Sequence, residues 1–251
     1  MPKQEGIYKL KGTLDNTTFV KTPDGFYAKL KRSFNKSKYL TDPAFERQRD
    51  NVAEFTRAIK GGKLIRSAMR PLIIHAKDRK SSNRLSAELK KIVLTDTVSE
   101  RGKRNLDLAN TDLLKHFEFN GQALLDEKFY APIQPSIDRA TGSLTIDIPS
   151  FIPKDMIVAP EGTTHFEFIS AGLEANFEGE MTVFDMQKSA LLPWDNNATA
   201  VINLTHNVSA NSKFTLMLSF GIRFYQQVNG YTYPMKDASS NPLKVVDVLK
   251  P

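Results

Sequence analysis

Between Lys29 and Lys38 the chain places Lys29, Lys31, Arg32, Lys36 and Lys38 without one acidic residue, and Phe26, Tyr27, Phe34 and Tyr39 are set around them. Residues of these types at this spacing neutralise phosphates while their aromatic neighbours stack on bases. Arg47 and Arg49, and further on Arg101, Lys103 and Arg104, are candidates to extend the same surface toward an anion or an acidic partner. The competing reading is that Tyr27, Leu30 and Phe34 pack as ordinary core while the lysines stay in water and guard an exposed strand edge. A second candidate lies upstream. Ile7, Tyr8, Lys9 and Leu10, between Gly6 and Gly12, read as a short strand that adds to a neighbour's sheet edge.

Other chemistry is poorly supplied. With no cysteine, disulfides, thiolate metal sites and cysteine nucleophiles are excluded. His75, His116, His165 and His206 stand far apart, none in a ligand pair, and read as structural histidines. The Gly-Gly-Lys at 61–63 lacks the spacing of a phosphate loop and follows a helical pattern, so it reads as a helix stop. Acidic neighbours such as Asp126 with Glu127, or Glu178 with Glu180, have no spacing that marks an acid and base pair. The expectation is a non-catalytic protein with no metal and no cofactor.

The elements that must position the basic run come first in the chain. The stretch TTFVKTPDGFYAKL reads as two strands joined by a Pro-Asp-Gly turn, with Gly25 supplying a positive φ. Asp42 and Pro43 open a helix whose apolar side is Phe45, Val52, Phe55 and Ile59 and which Gly61 and Gly62 end. Pro71 breaks the next helical stretch. A third helix over about 82–94 buries Leu85, Leu89, Ile92 and Val93. A fourth is expected from Thr97, with Glu100 as capping-box partner and Leu106, Ala109 and Leu113 inside.

Beyond His116 the period changes from helical to alternating. Phe214, Leu216, Leu218, Phe220, Ile222 and Phe224 share one face of a strand that ends at an Asn-Gly turn of the type I′ kind. About eight short strands with regular turn signals predict an antiparallel β-sandwich of Ig-like size. The expected fold is α+β in three parts: an N-terminal arm and basic β-hairpin (1–40), a small helical bundle (41–117) and the β-sandwich (118–251).

Charge follows the same division. Residues 1–117 hold 26 Lys+Arg against 13 Asp+Glu, whereas residues 118–251 hold 9 against 15, so a net of +7 conceals halves of +13 and −6. Such halves attract one another within one molecule or head to tail between copies. Residues 1–10 have no apolar core of a secretory signal and no apolar run approaches the roughly 18 to 20 residues of a membrane span, so a cytoplasmic location is expected unless a non-classical route exports the chain.

The hairpin GTLDNTTFVKTPDGFYAKLK, the segments DPAFERQRDNVAEF and PLIIHAKD, and later IDRATGSLTIDIPSFIPKDMIVAPEGTTHFEF and LPWD together resemble a two-module protein family of Bacteroidetes-type bacteria. The resemblance implies a shared architecture over nearly the whole chain and carries no activity, cofactor or functional residue. The functional expectation is a structural or interaction protein, self-assembling as a homo-oligomer or filament or binding another protein through the arm and the sandwich edges. Nucleic acid held by the basic module is the alternative.

Overall fold

A computed structural model describes residues 2–31, 35–76 and 78–251. It is α+β and divides into two compact units, Met1–Arg47 and Gln48–Pro251. Arg32 and Phe34 of the basic run lie outside the described residues.

The first unit is a three-stranded antiparallel sheet, β1 (Gly12–Leu14), β2 (Thr17–Thr22) and β3 (Gly25–Leu30), followed by a short helix α1 (Lys36–Thr41). Pro23 and Asp24 turn the chain and Gly25 opens β3 at φ +133°, as the Pro-Asp-Gly signal predicts. Asn35 caps α1 by accepting the Lys38 N–H at 2.9 Å. Asp42 accepts the Ala44 N–H at 2.9 Å and Pro43 follows it, in a single 3₁₀ turn that leads into the long helix. Among the described residues of this unit no side chain is buried.

The long helix α2 (Glu46–Ala68) is followed by α3 (Arg70–Ile73), α4 (Ser81–Val93) and α5 (Leu125–Lys128). Met69, with ψ near 8°, separates α2 from α3, the break that Pro71 predicts. Two expectations for α2 are corrected. The helix runs through Gly61 and Gly62, and its buried positions are Glu54, Ala58, Gly61, Gly62 and Ile65, while Val52, Phe55 and Ile59 remain 55, 43 and 41% exposed. The reason is close packing: a Cβ on Gly61 would sit 2.3 Å from Leu106 Cδ1, and one on Gly62 would meet Leu89 and Ser86 of α4. The small side of the helix therefore faces inward. In α4, by contrast, Leu85, Leu89, Ile92 and Val93 are buried as their period predicts.

The fourth expected helix is absent; after α4 only a 3₁₀ turn at Thr111–Leu114 forms before residue 115. The Asp96 carboxylate takes the backbone N–H groups of Val98, Ser99 and Asn105 at 2.9–3.1 Å, and Glu54 takes that of Gly102 at 2.9 Å. Arg57 donates to the carbonyls of Gly102 and Arg104. With its backbone bound by side chains, this segment has no need of an i→i−4 ladder.

Each strand expected after residue 118 is present, with one short strand more, Leu192–Pro193. They are β4 (Gln134–Asp138), β5 (Ser143–Ile148), β6 (His165–Asn176), β7 (Met181–Lys188), a two-residue β8 (Leu192–Pro193), β9 (Ile202–Asn207), β10 (Thr215–Val228), β11 (Tyr231–Pro234) and β12 (Leu243–Leu249); a helical turn α6 (Pro153–Met156) precedes β6. Asn229 and Gly230, both at positive φ, close β10 onto β11, and Gly142 closes β4 onto β5. The central sheet runs β11-β10-β6-β7, with β12 also on β10 and β8 on β6; β4-β5-β9 form a second sheet.

The two sheets enclose one core. Leu144, Ile146 and Ile148 of β5 share it with Phe166 and Phe168 of β6 and with the predicted β10 face from Leu216 to Phe224. The central sheet is also buried on its other side. Ile169, Ala171, Leu173 and Met217 there join Ile65, Met69, Leu72, Leu85, Leu89 and Ile92 in a second core. Helices α2, α3 and α4 thus form a layer over the central sheet and share a core with it across residue 117. Strand β12 serves both cores: a bulge at Val246 turns it and Leu249 to the sandwich, while Val245 and Val248 face the helices.

Asp96 tests how the helical layer is tied. Burial opposes its ionisation, but the N–H groups of Ser99, Asn105 and Val98 and the Ser99 hydroxyl outweigh it and hold the carboxyl at about 2, below the ordinary 3.8. That stabilisation is complete above pH 4 and is lost as pH falls toward 2. Asp96→Ala is expected to cost about 2 kcal/mol at pH 7 and to flatten stability between pH 4 and 2, as read by urea unfolding.

Candidate functional site

The first unit carries most of the predicted basic site, and its pairing register sets which side chains share a face. Thr17 lies opposite Leu30, Phe19 opposite Ala28 and Lys21 opposite Phe26; β1 adds Leu14 beside Thr17. One face therefore holds Leu14, Phe19, Phe26, Ala28 and Leu30, with the Lys21 ammonium 5.6 Å from the Phe26 ring centre. The other face holds Val20, Tyr27 and Lys29 among threonines. Phe26 and Tyr27, two of the candidate stacking or packing aromatics, are on opposite faces because neighbours on a strand alternate. Leu14 and Leu30, at one end of the apolar face, are 65 and 77% exposed.

Lys31 follows β3, its N–H bound to the Asn16 carbonyl, and Lys36 and Lys38 ride on α1, so these charges belong to different elements from Lys29. Tyr39 packs on Phe45 with ring centres 5.8 Å apart, both rings half-buried. Arg47 and Arg49 stand in the first turn of α2. Arg101, Lys103 and Arg104 belong to the second unit and are matched there. Arg101 donates to Asn51 at 3.0 Å, Lys103 pairs with Glu100 at 2.8 Å and Arg104 lies 3.9 Å from Glu54.

The strand expected over Ile7–Leu10 does not form. Instead residues 2–4 lie along β3, with the Gln4 N–H on the Phe26 carbonyl at 2.8 Å and the Ala28 N–H on the Pro2 carbonyl at 2.9 Å. The Gln4 side chain then bonds both backbone groups of Leu10, closing residues 4–10 into a loop. Closing that loop uses Gln4 and Leu10 and leaves Ile7 and Tyr8, at its tip, almost fully exposed.

In the second unit one arrangement has the form of nucleophile and base. Ser170 Oγ lies 2.8 Å from His206 Nε2, and Asp185 accepts the neighbouring Asn207 N–H. Both Ser170 and His206 are fully buried between the sheets, with Gly172 so close that a Cβ there would sit 2.8 Å from His206 Cβ. Their hydrogen bond joins β6 to β9. Among the described residues no three His, Asp or Glu side chains form a group able to hold a metal ion. No helix among them is long and apolar enough to cross a membrane.

A charged cluster that the sequence reading missed lies where residues 117–119 run beside β12. Glu118 and Lys244 face each other across an antiparallel bridge. The Lys244 ammonium, with a 7% exposed side chain, is 2.6 Å from Asp126 and 4.0 Å from Glu118, whose other contact is the Leu125 N–H at 3.1 Å. Burial pushes the Glu118 carboxyl up to about 7; Asp126 pushes the same way, while the Leu125 N–H, Lys244 and Arg84 oppose it. The signals were a glutamate between two phenylalanines and a lysine in an apolar strand, patterns that also occur at sheet edges.

No known protein family, no curated protein and no solved structure matches this chain.

His206 predicts a pH signature. Burial lowers its basicity, against the opposing pull of Asp185. Below about 6.5 the unfolded chain takes up a proton that the native site resists, so stability falls as the solution is acidified. His206→Gln is expected to flatten the slope of stability between pH 7 and 5, measured by urea unfolding, whatever its effect at pH 7.

Proposed function

We propose that the chain is a non-catalytic interaction protein that associates with copies of itself through the apolar face of its N-terminal sheet. The observation that carries this reading is that the first unit has no buried side chain among its described residues while Leu14 and Leu30 stand open on one face. Three strands are stable when a hydrophobic face is packed against something, and a unit this small without cysteines has no other staple. Covering either leucine is worth about 1.5–3 kcal/mol. A second copy brings the same face, so a two-fold contact is self-complementary. The exposed Tyr231 and Tyr233 on β11 offer a further edge for association in the second unit. A cytoplasmic location belongs to the same proposal.

Light scattering coupled to gel filtration tests it. The wild-type chain is expected to exceed its 28.2 kDa monomer mass at both low and moderate salt, because apolar contact is insensitive to screening. Leu14→Glu with Leu30→Glu returns it to the monomer. A wild-type monomer in both salts at high concentration overturns the reading, and mass gained only on adding double-stranded DNA replaces it with nucleic-acid binding.

A further inference from the structure

We propose that the cavity between α4 and residues 113–118 is a binding site for a small molecule bearing an oxyanion. The cavity is a groove open to solvent, holds about 520 Å³ and is lined by Arg84, Glu88 and Lys91 from α4 and by Lys115, His116 and Glu118. That volume is in the range of small-molecule sites.

Three cations, Arg84, Lys91 and Lys115, line it together with the carboxylates of Glu88 and Glu118, and the His116 ring stands beside them. Lys91 pairs with Glu88 and Lys115 with Asp247, both at 2.8 Å, but their side chains are 71 and 44% exposed. Exposed pairs of this kind are weak, so both ammonium groups are free to turn to a ligand. Arg84 is held in place: its Nη2 donates to Asp78 at 2.7 Å and to the carbonyls of Glu118 and Phe119, and its guanidinium lies 5.9 Å from the centre of the Phe117 ring.

Unused polar capacity remains in the same wall. Arg84 Nε and Glu118 Oε2 are both buried and neither has a hydrogen-bond partner. Buried polar atoms without partners are rare in folded proteins. Both residues line the cavity, so Arg84 Nε–H and, once Glu118 is protonated, its carboxyl are the donors left to offer an oxyanion. His116, beside them, holds φ +72°, a conformation uncommon for a side chain other than glycine and concentrated at functional sites.

Glu118 couples anion binding to a proton. The charged groups that face it are Arg84 from α4, Lys244 from β12 and Asp126 from α5; the cavity adds His116, Lys115, Lys91 and Glu88. A carboxyl near pH 7 that must be protonated to accept the anion makes binding about tenfold tighter at pH 6 than at pH 8.

Sulfate and acetate keep constant charge over that range and serve as probes of the full chain, titrated by NMR against chloride at equal ionic strength. The expected result is saturable shifts at residues 84–91 and 115–118 with a midpoint below about 10 mM for at least one probe, tighter at pH 6. Lys91→Ala with Lys115→Ala removes saturation in a chain whose unfolding is otherwise unchanged, and Glu118→Gln loses most of the pH ratio. The proposal is overturned if neither probe saturates, if chloride produces the same shifts, or if the double lysine variant binds as the wild type does.

Discussion

The alternation of large and small side chains along β10 is the constraint on which the second unit depends. Leu216, Leu218, Phe220, Ile222 and Phe224 fill the space between the sheets, and Phe168 meets Phe220 with ring centres 5.0 Å apart. Of the intervening residues Ser219 and Gly221 are small, and Met217 enters the core shared with the helices. At Gly221 a Cβ would come within 2.5 Å of the Pro242 carbonyl, so even the smallest side chain collides with the backbone leading into β12. A strand with large residues on both faces would fill one core and push the other apart.

The same logic explains what the sequence made legible. Period-two runs and turn residues act locally, so the strands and the turns at Gly25, Gly142 and Asn229-Gly230 follow from the residues that form them. The inward side of α2 does not, because hydrophobicity points to Val52, Phe55 and Ile59 whereas close approach selects Ala58, Gly61 and Gly62. Nor does the segment after α4, whose shape is dictated by Asp96, Glu54 and Arg57, residues up to 48 positions away in the chain. For the basic run the charge was legible and the geometry was not. Register puts Phe26 and Tyr27 back to back, and the charges of Lys29, Lys36 and Lys38 sit on separate elements.

Burial gives two titratable groups of the second unit opposite meanings. His206 is enclosed on all sides, bonded through Nε2 to Ser170, and its altered basicity is a by-product of packing. Glu118 borders a cavity and shares it with the exposed side chains of Lys91 and Lys115. A perturbed group marks a site of chemistry where solutes have access to its surroundings, and accessibility, more than the size of the perturbation, separates these two. The four guanidinium hydrogen bonds of Arg139, to the carbonyls of Ser212, Phe214, Leu249 and Lys250, show the use of a half-buried charge as a clasp on the end of β12.

Among its described residues the first unit has no buried side chain, and this has a consequence for its persistence. A sheet whose strands open without disrupting any packed core offers its backbone to proteases at nearly every fluctuation. Its lifetime is then set by whatever lies on its face, and cleavage within residues 1–47 becomes a gauge of occupancy that the long-lived, doubly packed β-layer of the second unit does not register.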